Sequence, residues 1–217
     1  MFQSNQIPHC RYCKNRRPRL FQVRTMPVNI QDAKSRLRKR IRALLSEMPV
    51  AQREAAADRA RALLAAQAAW RKAQSILFYA PQPEELDLWP LVNDALAAGK
   101  TVALPRFEAG TNQYVACRIE NLAREIQRGK FGIREPNEAC AIIPLDRVDL
   151  VLAPGVAFDS HGRRLGRGRG FYDRLLALAR GAVCGVAFDE QIVAEIPVEP
   201  HDTRVNCILT PKQWIEV

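Results

Sequence analysis

A strand, a helix and a second strand follow one another within about 30 residues, and this run constrains the fold more than any other feature. Residues 75–80 form a short apolar stretch that two prolines end. A helical spacing of apolar residues follows from Asp87, a candidate cap, to Gly99. Residues 101–104 are apolar again and stop at Pro105. Strands joined in this way run parallel and need both faces of their sheet covered, which predicts an α/β fold.

Further segments extend this pattern on both sides. Two helices precede the first strand: one begins at Asp32 with a basic outer face, and the next runs from Pro49 to Trp70. Residues 114–119 predict an antiparallel strand and residues 131–136 an irregular crossing. Later segments predict strands at 149–153, 182–188 and 205–210, with helices near 171–180 and 190–195. We expect a single three-layer α/β domain over residues 29–217, with a mostly parallel central sheet flanked by helices.

The positive charge of the chain is concentrated at its beginning. Residues 1–28 carry six Arg and Lys and no acid, and residues 29–42 carry six against Asp32 alone. The rest therefore sums to −1 of the formal net charge of +10. A near-neutral body argues against nucleic acid as a partner, although an RNA-associated protein that uses the basic amino terminus stays an alternative. Residues 1–28 predict a flexible extension, and Met26 is a possible alternative start.

Apolar runs and cysteines indicate the compartment. The apolar runs are too short for a membrane helix, and the chain does not open on a secretory signal, so we expect a cytoplasmic protein with no membrane partner. The last four of the six cysteines lie in apolar, strand-like segments and predict buried, reduced thiols. Cys10-x-x-Cys13 with His9 is at most half a zinc site, because no second Cys/His pair of suitable spacing follows.

The stretch from Pro154 to Arg174 carries the strongest signal for chemistry. It lies between a predicted strand and a helix, where parallel sheets bind ligands. Gly166, Gly168 and Gly170 alternate with other residues and let backbone N–H groups turn toward an anion, and five arginines fall within twelve positions. The pattern favours a polyphosphate cradle, although it is neither a Walker A loop nor a dinucleotide-binding fingerprint. The alternative is a glycine-rich surface turn with solvated arginines.

Asp173, at the entry to the helix, has two interpretations. It is a candidate Mg²⁺ ligand, because that ion prefers a few carboxylates together with phosphates and water. It is equally a first-turn acid that the helix dipole favours.

Four segments of the chain resemble those of the 5-formyltetrahydrofolate cyclo-ligases, also called methenyltetrahydrofolate synthetases. The segments are the Pro154 to Arg174 stretch, the sequence FYAPQPEELD at residues 78–87, Lys34-x-x-Leu37-Arg38, and Gln191…Pro197…His201-Asp202. They stand in the expected order and cover about residues 30–212. The glycine-arginine stretch that ends in Tyr-Asp-Arg is the most specific of them.

The resemblance implies an ATP- and Mg²⁺-dependent closure of 5-formyltetrahydrofolate to 5,10-methenyltetrahydrofolate, with release of ADP and phosphate. ATP would phosphorylate the formyl oxygen, and an amine nitrogen of the folate would then attack the activated carbon. Phosphoryl transfer of this kind depends mainly on positioning and charge neutralisation, so no Ser-His-Asp triad is required. A reduced folate and ATP would be the partners, and we expect a monomer.

The resemblance also implies roles for individual residues. Lys34 and Arg38 would contact the ATP phosphates, and Lys34 and Arg167 would be catalytic. Glu85 would hydrogen-bond the pterin, with Arg38, Arg167 and Gly168 also on the folate side. Asp173 and Asp202 would hold Mg²⁺. The nucleotide loop would consist of Arg164, Leu165, Gly166, Arg167, Gly168, Arg169, Gly170, Phe171 and Tyr172.

Each of these residues also has a purely structural interpretation. Lys34 and Arg38 alone would be a solvated basic face, Glu85 a loop acid before a helix, and Asp202 a turn residue. Tyr172 is a candidate for core packing or ring stacking, and His201 for a packed turn residue. Another ATP-dependent phosphotransferase or ligase on the same scaffold is the alternative enzyme. The apolar positions of a folate pocket beyond Glu85 cannot be assigned from the sequence.

Overall fold

The chain enters its sheet after a pair of long helices in the computed structural model, which describes residues 29–200 and 202–217. Asn29 caps the first helix by accepting a 2.9 Å hydrogen bond from Gln31 N–H, and Pro49 precedes the second helix. The elements up to residue 136 are α1 (Ile30–Ser46), α2 (Val50–Ala66), α3 (Ala68–Lys72), β1 (Ser75–Leu77), α4 (Pro90–Ala97), β2 (Thr101–Glu108), β3 (Gln113–Ile119), α5 (Leu122–Glu125), β4 (Ile126–Arg128) and β5 (Arg134–Pro136).

Short strands dominate the second half of the chain. Its elements are β6 (Leu150–Pro154), β7 (Ala157–Asp159), β8 (Arg164–Leu165), α6 (Phe171–Leu176), β9 (Ala182–Val186), β10 (Ile192–Val193), β11 (Cys207–Leu209) and β12 (Trp214–Glu216). Two 3-10 turns, Leu145–Arg147 and Asp189–Gln191, lie between them. Gly170 immediately precedes α6 with a φ of 65°, a left-handed conformation that favours glycine.

A mostly parallel sheet forms the centre of the fold, as the sequence predicts. Within the described residues it has seven strands in the order β12-β11-β9-β6-β1-β2-β3. The inner neighbours pair in parallel, whereas β12 and β3 join the edges as antiparallel strands. The antiparallel strand expected at residues 114–119 is thus confirmed as β3.

Hydrophobic cores lie on both faces of this sheet, which makes the architecture three-layered. Along β6, Leu150 and Leu152 face one core, whereas Val151 and Ala153 face the other. Helices α1, α2 and α4 pack on the first core, and α6 packs on the second. The alternation follows from the two-residue period of a strand, so a strand that is apolar throughout is covered on both sides.

The parallel pairing of β1 with β6 decides which loops meet. Ile76 lies opposite Leu150, and Leu77 opposite Val151. Both strands therefore end at the same edge of the sheet. The segments that follow them, residues 78–89 and residues 155–170, leave the sheet side by side, and these are the two segments that the sequence singles out for chemistry.

Several predicted elements need correction. The helix expected to start after Asp87 begins at Pro90, and Asp87 instead accepts a 2.8 Å hydrogen bond from Trp89 N–H in the turn before it. The expected helix at 190–195 is wrong: a 3-10 turn leads into β10, whose β-branched Ile192 and Val193 pair with β7. The helix expected at 171–180 ends at Leu176.

Smaller corrections concern three other segments. The expected helix from Pro49 to Trp70 breaks at Gln67, which is extended with ψ of 144°. The expected crossing at 131–136 contains a strand, because β5 pairs with β4 in a hairpin. Strand β2 continues past Pro105 to Glu108. Proline is tolerated there because its missing N–H faces the side where β1 has already ended.

Two expectations about the compartment can be compared with the structure. Cys117, Cys140, Cys184 and Cys207 are buried and free, as predicted. Among the helices of residues 29–200 and 202–217, none is long and apolar enough to cross a membrane. The predictions for residues 1–28, including the half zinc site with Cys10 and Cys13, lie outside the described residues, as does that for His201.

Candidate active site

The glycine-rich stretch after β6 is a folded unit rather than one open turn. Val156 N–H donates a 2.7 Å hydrogen bond to the carbonyl of Leu165, and β7 pairs with both β8 and β10. Gln191 holds the start of the stretch, because its side-chain amide donates to the carbonyls of Gly155 and Val156 at 2.8 and 3.1 Å. Only the turn from Gly166 to Gly170 then projects toward the edge of the sheet.

Asp159 organises the turn between β7 and β8, a role that the sequence does not signal. Its carboxylate is fully buried and accepts hydrogen bonds from the backbone N–H groups of His161, Arg163 and Ile196 at 2.9 to 3.1 Å. A carboxylate that accepts several backbone N–H groups is stable when buried. Asp159 therefore fixes the path of the chain that delivers Arg164 to the site.

Arg164 forms a nearly buried ion pair. Its side chain is 2% exposed, and its guanidinium donates to Asp173 Oδ1 at 2.6 Å and to the carbonyl of Pro154 at 3.2 Å. Its Nε has no hydrogen-bond partner among the described residues.

Lys34 projects from α1 toward the loop that precedes β11. Its Nζ lies 2.5 Å from Asp202 Oδ2 and 2.9 Å from Glu199 Oε2, and its side chain is 5% exposed. Burial alone would lower the pKa of Lys34, but the hydrogen bonds to Asp202 and Glu199 outweigh burial and raise it. Lys34 is therefore a fixed positive charge at neutral pH.

Arg38 lies one turn along α1 from Lys34 and contacts the glycine turn. Its Nε donates a 2.8 Å hydrogen bond to the carbonyl of Gly166. Its guanidinium also lies against Gly168, whose φ of 101° is a conformation that favours glycine. Burial lowers the pKa of Arg38, and neighbouring Arg42 lowers it further, but an arginine keeps its charge at neutral pH. Helix α1 thus places Arg38 against the glycine turn and Lys34 against the loop that precedes β11.

Arg167, at the middle of the glycine turn, reaches the loop that follows β1. Its Nε and one terminal nitrogen lie 3.2 and 3.0 Å from Glu85 Oε1, and the same nitrogen lies 3.4 Å from Glu84. The other oxygen of Glu85 accepts a 3.0 Å hydrogen bond from Gln82 N–H. The Arg167 side chain is 39% exposed, whereas that of Glu85 is 10% exposed.

A cavity of about 350 Å³ joins Glu85, Arg164, Arg167 and Asp173 at the carboxyl edge of the sheet. Of the residues predicted from the sequence, its walls include Glu85, Arg164, Gly166, Arg167, Arg169, Gly170, Phe171, Tyr172 and Asp173. Lys34, Arg38 and Gly168 do not line it: Arg38 contacts the glycine turn at Gly166 and Gly168, whereas Lys34 bonds to Asp202. Leu165 does not face the cavity, because its side chain is buried in the hydrophobic core.

Asp202 lines a neighbouring cavity of about 410 Å³. Arg164 contributes to the walls of both cavities. Thr203, next to Asp202, donates a 3.2 Å hydrogen bond to the carbonyl of Asp173, which brings the two candidate metal ligands onto adjoining segments. In the part of the chain that the structure describes, no group of three or more His, Cys, Asp or Glu residues could hold a metal ion.

The donor set therefore fits one kind of ion better than others. Asp173 and Asp202 supply two carboxylates, and both are bonded to cations, Arg164 and Lys34. Such a pair is too small for an all-protein cage but suits Mg²⁺, which commonly takes one or two carboxylates and completes its shell with phosphates and water.

An aromatic wall of Phe107, Tyr114, Phe131, Phe171 and Tyr172 lies beside the cavity, and the sequence signals only its last two members. Arginines contact its rings: Arg169 lies 4.9 Å from the ring centre of Phe131, and Arg174 lies 5.2 Å from that of Phe171. Phe107 lies edge-to-face against Phe131 at 5.1 Å and against Phe171 at 5.4 Å between ring centroids. Tyr114 contacts Phe171 and Tyr172 at 5.6 and 6.2 Å. These rings come from the β2–β3 hairpin, the β4–β5 hairpin and α6, so no local motif could announce them.

Tyr172 stands between the aromatic wall and the cations. Burial raises the pKa of its hydroxyl well above the usual value, and Glu85 adds to this effect. The Arg164 guanidinium lies 5.7 Å from the centre of its ring. Tyr172 is therefore a neutral ring that can donate a hydrogen bond. Together the walls can hold a flat ring against aromatics and an anion against arginines.

Comparison with known proteins gives a consistent result. The chain matches the 5-formyltetrahydrofolate cyclo-ligase family over residues 30–211. It is 33% identical over 190 residues to the 5-formyltetrahydrofolate cyclo-ligase of Mycolicibacterium smegmatis, covering 84% of this chain and 96% of that protein. It is 37% identical over 138 residues to the Escherichia coli protein of that name, covering 60% of this chain and 74% of that protein.

Solved structures agree with these relatives. The NMR structure of 5,10-methenyltetrahydrofolate synthetase from Aquifex aeolicus superimposes with a TM-score of 0.77 at 32% identity, covering 84% of this chain and 92% of that one. The synthetase from Mycoplasma pneumoniae shares the fold, with a TM-score of 0.66 at 19% identity over 82% of this chain and 98% of that one. The match over most of its length shows that the chain belongs to the 5-formyltetrahydrofolate cyclo-ligase family of enzymes.

Proposed function

We propose that the protein converts 5-formyltetrahydrofolate to 5,10-methenyltetrahydrofolate, using ATP and Mg²⁺ and releasing ADP and phosphate. The observation that carries the proposal is the shared cavity, whose walls combine Glu85, the arginines of the glycine turn and the aromatic wall. A reaction that joins a triphosphate to a pterin ring needs these three kinds of surface within reach of one another. Family membership supports the same assignment.

The chemistry requires activation of the formyl group. Its amide-like oxygen leaves poorly until it is phosphorylated. The formyl oxygen attacks the γ-phosphorus of ATP, and the bond from that phosphorus to the bridging oxygen of ADP breaks. The neighbouring amine nitrogen of the folate then attacks the formyl carbon and loses its proton. Phosphate leaves with the former formyl oxygen, and the five-membered methenyl ring remains.

The cations of the site have distinct tasks in this proposal. Lys34 and Arg38 extend from α1 toward the phosphates, and the turn from Gly166 to Gly170 supplies backbone N–H groups that face them. Arg167 neutralises charge that develops on the transferred phosphoryl group. Arg164 is too well buried to move, so its task is to hold the turn through Asp173 and the carbonyl of Pro154.

The folate side is assigned to Glu85 and the aromatic wall. A carboxylate has two acceptor oxygens that match the exocyclic amine and ring N–H of a pterin. Glu85 is the acid that reaches the cavity from the loop after β1, and it is nearly buried. Phe131, Tyr114 and Phe171 line the same cavity and suit the apolar faces of the substrate rings.

Asp173 and Asp202 would hold Mg²⁺ together with phosphate oxygens and water. When bound, the ion supplies charge neutralisation at the β- and γ-phosphates. The two aspartates are bonded to Arg164 and Lys34, and these pairs would keep both carboxylates compensated by charge while the ion is bound.

The test is formation of the methenyl product, followed by its absorbance in the near ultraviolet. Purified protein with 5-formyltetrahydrofolate and MgATP should form product and ADP in a one-to-one ratio, and omission of ATP should stop the reaction. Glu85→Gln should abolish folate use but keep nucleotide binding, and Glu84→Gln, its exposed neighbour, should change turnover less than about twofold. Release of ADP at the same rate with and without the folate would contradict the proposal and favour a different ATP-dependent transferase.

The remaining expectations from the sequence stay predictions: a flexible extension at residues 1–28, a functional unit at residues 29–217, a monomer, and a cytoplasmic location without nucleic-acid or membrane partners. The family model begins at residue 30, which supports the proposed unit. Removal of residues 1–28 should therefore leave turnover intact.

A further inference from the structure

Glu85 has both of its carboxylate oxygens occupied by the protein. Oε1 accepts from two nitrogens of Arg167 at 3.0 and 3.2 Å, and Oε2 accepts from Gln82 N–H at 3.0 Å. The side chain is 10% exposed, so little water reaches it. Any ligand that needs both oxygens must therefore compete with a partner that is already present, and Arg167 is the one on a side chain that can move away.

Arg167 differs in this respect from the other cations of the site. Lys34 and Arg164 are nearly buried and hold their aspartates at 2.5 and 2.6 Å. Arg167 is more exposed, and its contacts with the two glutamates are 3.0 Å or longer. Exposed ion pairs are weak and exchange readily, whereas buried ones are costly to break. Of these three cations, Arg167 is therefore the one that can change partner without loss of the fold.

The backbone around Arg167 lies beside α1, the helix to which the proposed function assigns phosphate contacts. Gly166 accepts the hydrogen bond from Arg38, and Gly168 lies against the Arg38 guanidinium. The Arg167 side chain lies between these two glycines and can turn away from Glu85 by rotation about its own bonds. In the proposed function it would then point toward the ATP phosphates. Its charge would then join those of Lys34 and Arg38.

We propose that Arg167 couples the two substrates, because it pairs with Glu85 in the empty site and is released to the triphosphate when a reduced folate takes its place on Glu85. The proposal rests on the proposed function, which gives Glu85 to the pterin. Folate binding and nucleotide binding should then strengthen each other by the same factor, as thermodynamic linkage requires. Glu85 acts on the nucleotide as a positioning residue, through Arg167.

The coupling has a structural consequence for each substrate alone. A nucleotide that arrives first meets an Arg167 held by a carboxylate, and it must break that pair to gain the charge. A folate that arrives first must displace the same pair. Whichever binds second finds the exchange complete, so its affinity is higher than in the empty site.

A double-mutant cycle on nucleotide binding tests the coupling without turnover. The probe is the Mg²⁺ complex of the β,γ-imido analogue of ATP, and its dissociation constant is measured by calorimetry on the full chain. In the wild type, saturating 5-formyltetrahydrofolate should tighten binding of the analogue about fivefold. Without folate, Glu85→Gln should tighten it by a similar factor, because Arg167 is no longer held by a charge. In an Arg167→Ala background the same substitution should have no effect.

Glu84→Gln is the matched control, since Glu84 also contacts Arg167 but at 3.4 Å and with 47% of its side chain exposed. It should change the dissociation constant less than twofold, roughly the limit expected of an exposed pair. Melting temperatures of all variants would exclude misfolding.

Three outcomes would overturn the coupling: unchanged or weaker analogue binding in Glu85→Gln, a gain that persists with Arg167→Ala, or an equal gain in Glu84→Gln. The last two would indicate a general charge effect. The proposed function is tested separately, because it fails if the wild type forms no methenyl product or binds no folate. If the wild type forms product but 5-formyltetrahydrofolate does not tighten binding of the analogue, the coupling is wrong and the proposed function stands.

Discussion

Arg164 and Asp173, nine positions apart, form a 2.6 Å ion pair that closes the glycine-rich turn at both ends. Arg164 belongs to β8, and Asp173 belongs to the first turn of α6. The glycines between them have little structure of their own to hold them, because a glycine loses much conformational freedom when it is fixed. The pair therefore fixes the shape of the glycine turn without a ligand.

We expect Arg164→Ala to lower stability as well as activity. Removing one member of a buried pair leaves the other uncompensated, which costs about 3 kcal/mol. Asp173 keeps some contact with water, so its charge is not wholly stranded. Urea unfolding of the variant should show this loss, and the control Arg118→Ala, which removes an exposed pair with Glu120, should show little. An unfolding midpoint unchanged by Arg164→Ala would mean that the turn is held by other contacts.

Arg167→Ala should show the opposite balance of effects. Arg167 is 39% exposed although its partner Glu85 is nearly buried, so we expect a loss of stability of about 1 kcal/mol, smaller than for Arg164→Ala. Catalysis should fall about a hundredfold or more, as when a preorganised donor to a transition state is removed. Steady-state kinetics and thermal melting on the same preparation measure both quantities. A large drop in melting temperature with normal turnover would identify Arg167 as a structural residue instead.

Nucleotide affinity should not depend on titration of Lys34 in the neutral range. Its pKa is raised above the usual value near 10.5, so the charge is complete below that pH and is lost only as the pH rises through the folded-state pKa. We expect a flat dissociation constant for the imido analogue between about pH 7.5 and 9. A wild-type affinity that falls in this range, and no longer does so in Lys34→Met, would contradict the assignment.

Lys34→Met should weaken binding of the same analogue about tenfold, the effect of losing a charge-assisted hydrogen bond. Lys39→Met is the matched control on an exposed position of α1 and should change the affinity little. Equal effects of the two substitutions would show that the charge of the helix, rather than the position of Lys34, attracts the nucleotide.

Phe131→Ala should affect the folate and spare the nucleotide. Phe131 lies at the tip of the β4–β5 hairpin, packs on Phe107 and lines the cavity. An edge-to-face ring contact contributes about 1 kcal/mol beyond its buried area, so we expect KM for the folate to rise about tenfold. Phe131→Leu should retain most of the affinity. A rise in KM for ATP without one for the folate would assign the aromatic wall to the nucleotide.

Asp149 should stabilise the opposite edge of the sheet in a pH-dependent way. Its carboxylate accepts hydrogen bonds from the backbone N–H groups of Gln74 and Ser75 at 2.8 and 2.9 Å. The bond from Gln74 is the main cause of the lowered pKa of Asp149. A lowered pKa gives stability that is present above the unfolded-state pKa and is lost as the pH falls through the folded-state value.

Because Asp149 is exposed, Asp149→Ala should destabilise the protein by only about 1 kcal/mol at pH 7. The difference from the wild type should shrink below about pH 4, and turnover should be normal. Urea unfolding at pH 7 and pH 3 measures the change, with Asp146→Ala as the neighbouring exposed control. A difference of equal size at both pH values would mean that the charge does not matter.

The sequence predicts the architecture well where the pattern is local and repetitive. In a strand such as the one expected at 149–153, successive side chains point to opposite faces, and apolar residues on both faces predict burial on both sides. The structure confirms the strand and its burial. The prediction fails where a contact between distant parts of the chain decides the conformation. The expected helix at 190–195 is a turn and a strand, because Gln191 bonds to Gly155 and Val156, which lie far back in the chain.

The site follows the same rule. Glu85 and Arg167 belong to recognisable segments, and the parallel pairing of β1 and β6 brings those segments together. The aromatic wall escapes prediction because Phe107, Tyr114 and Phe131 become neighbours only after two hairpins fold over α6. Single rings with no shared spacing look like ordinary core residues in a sequence.

Pro105 gives the floor of the cavity an unusual surface. It lines the cavity at the point where β2 loses its neighbour β1, and there an ordinary residue would present a main-chain donor that demands water or a ligand atom. Proline has no N–H, so the surface that it presents to the cavity is apolar. A planar heterocycle can therefore contact Pro105 without displacing water from a backbone amide. The polar edge of such a ring stays available for the carboxylate of Glu85.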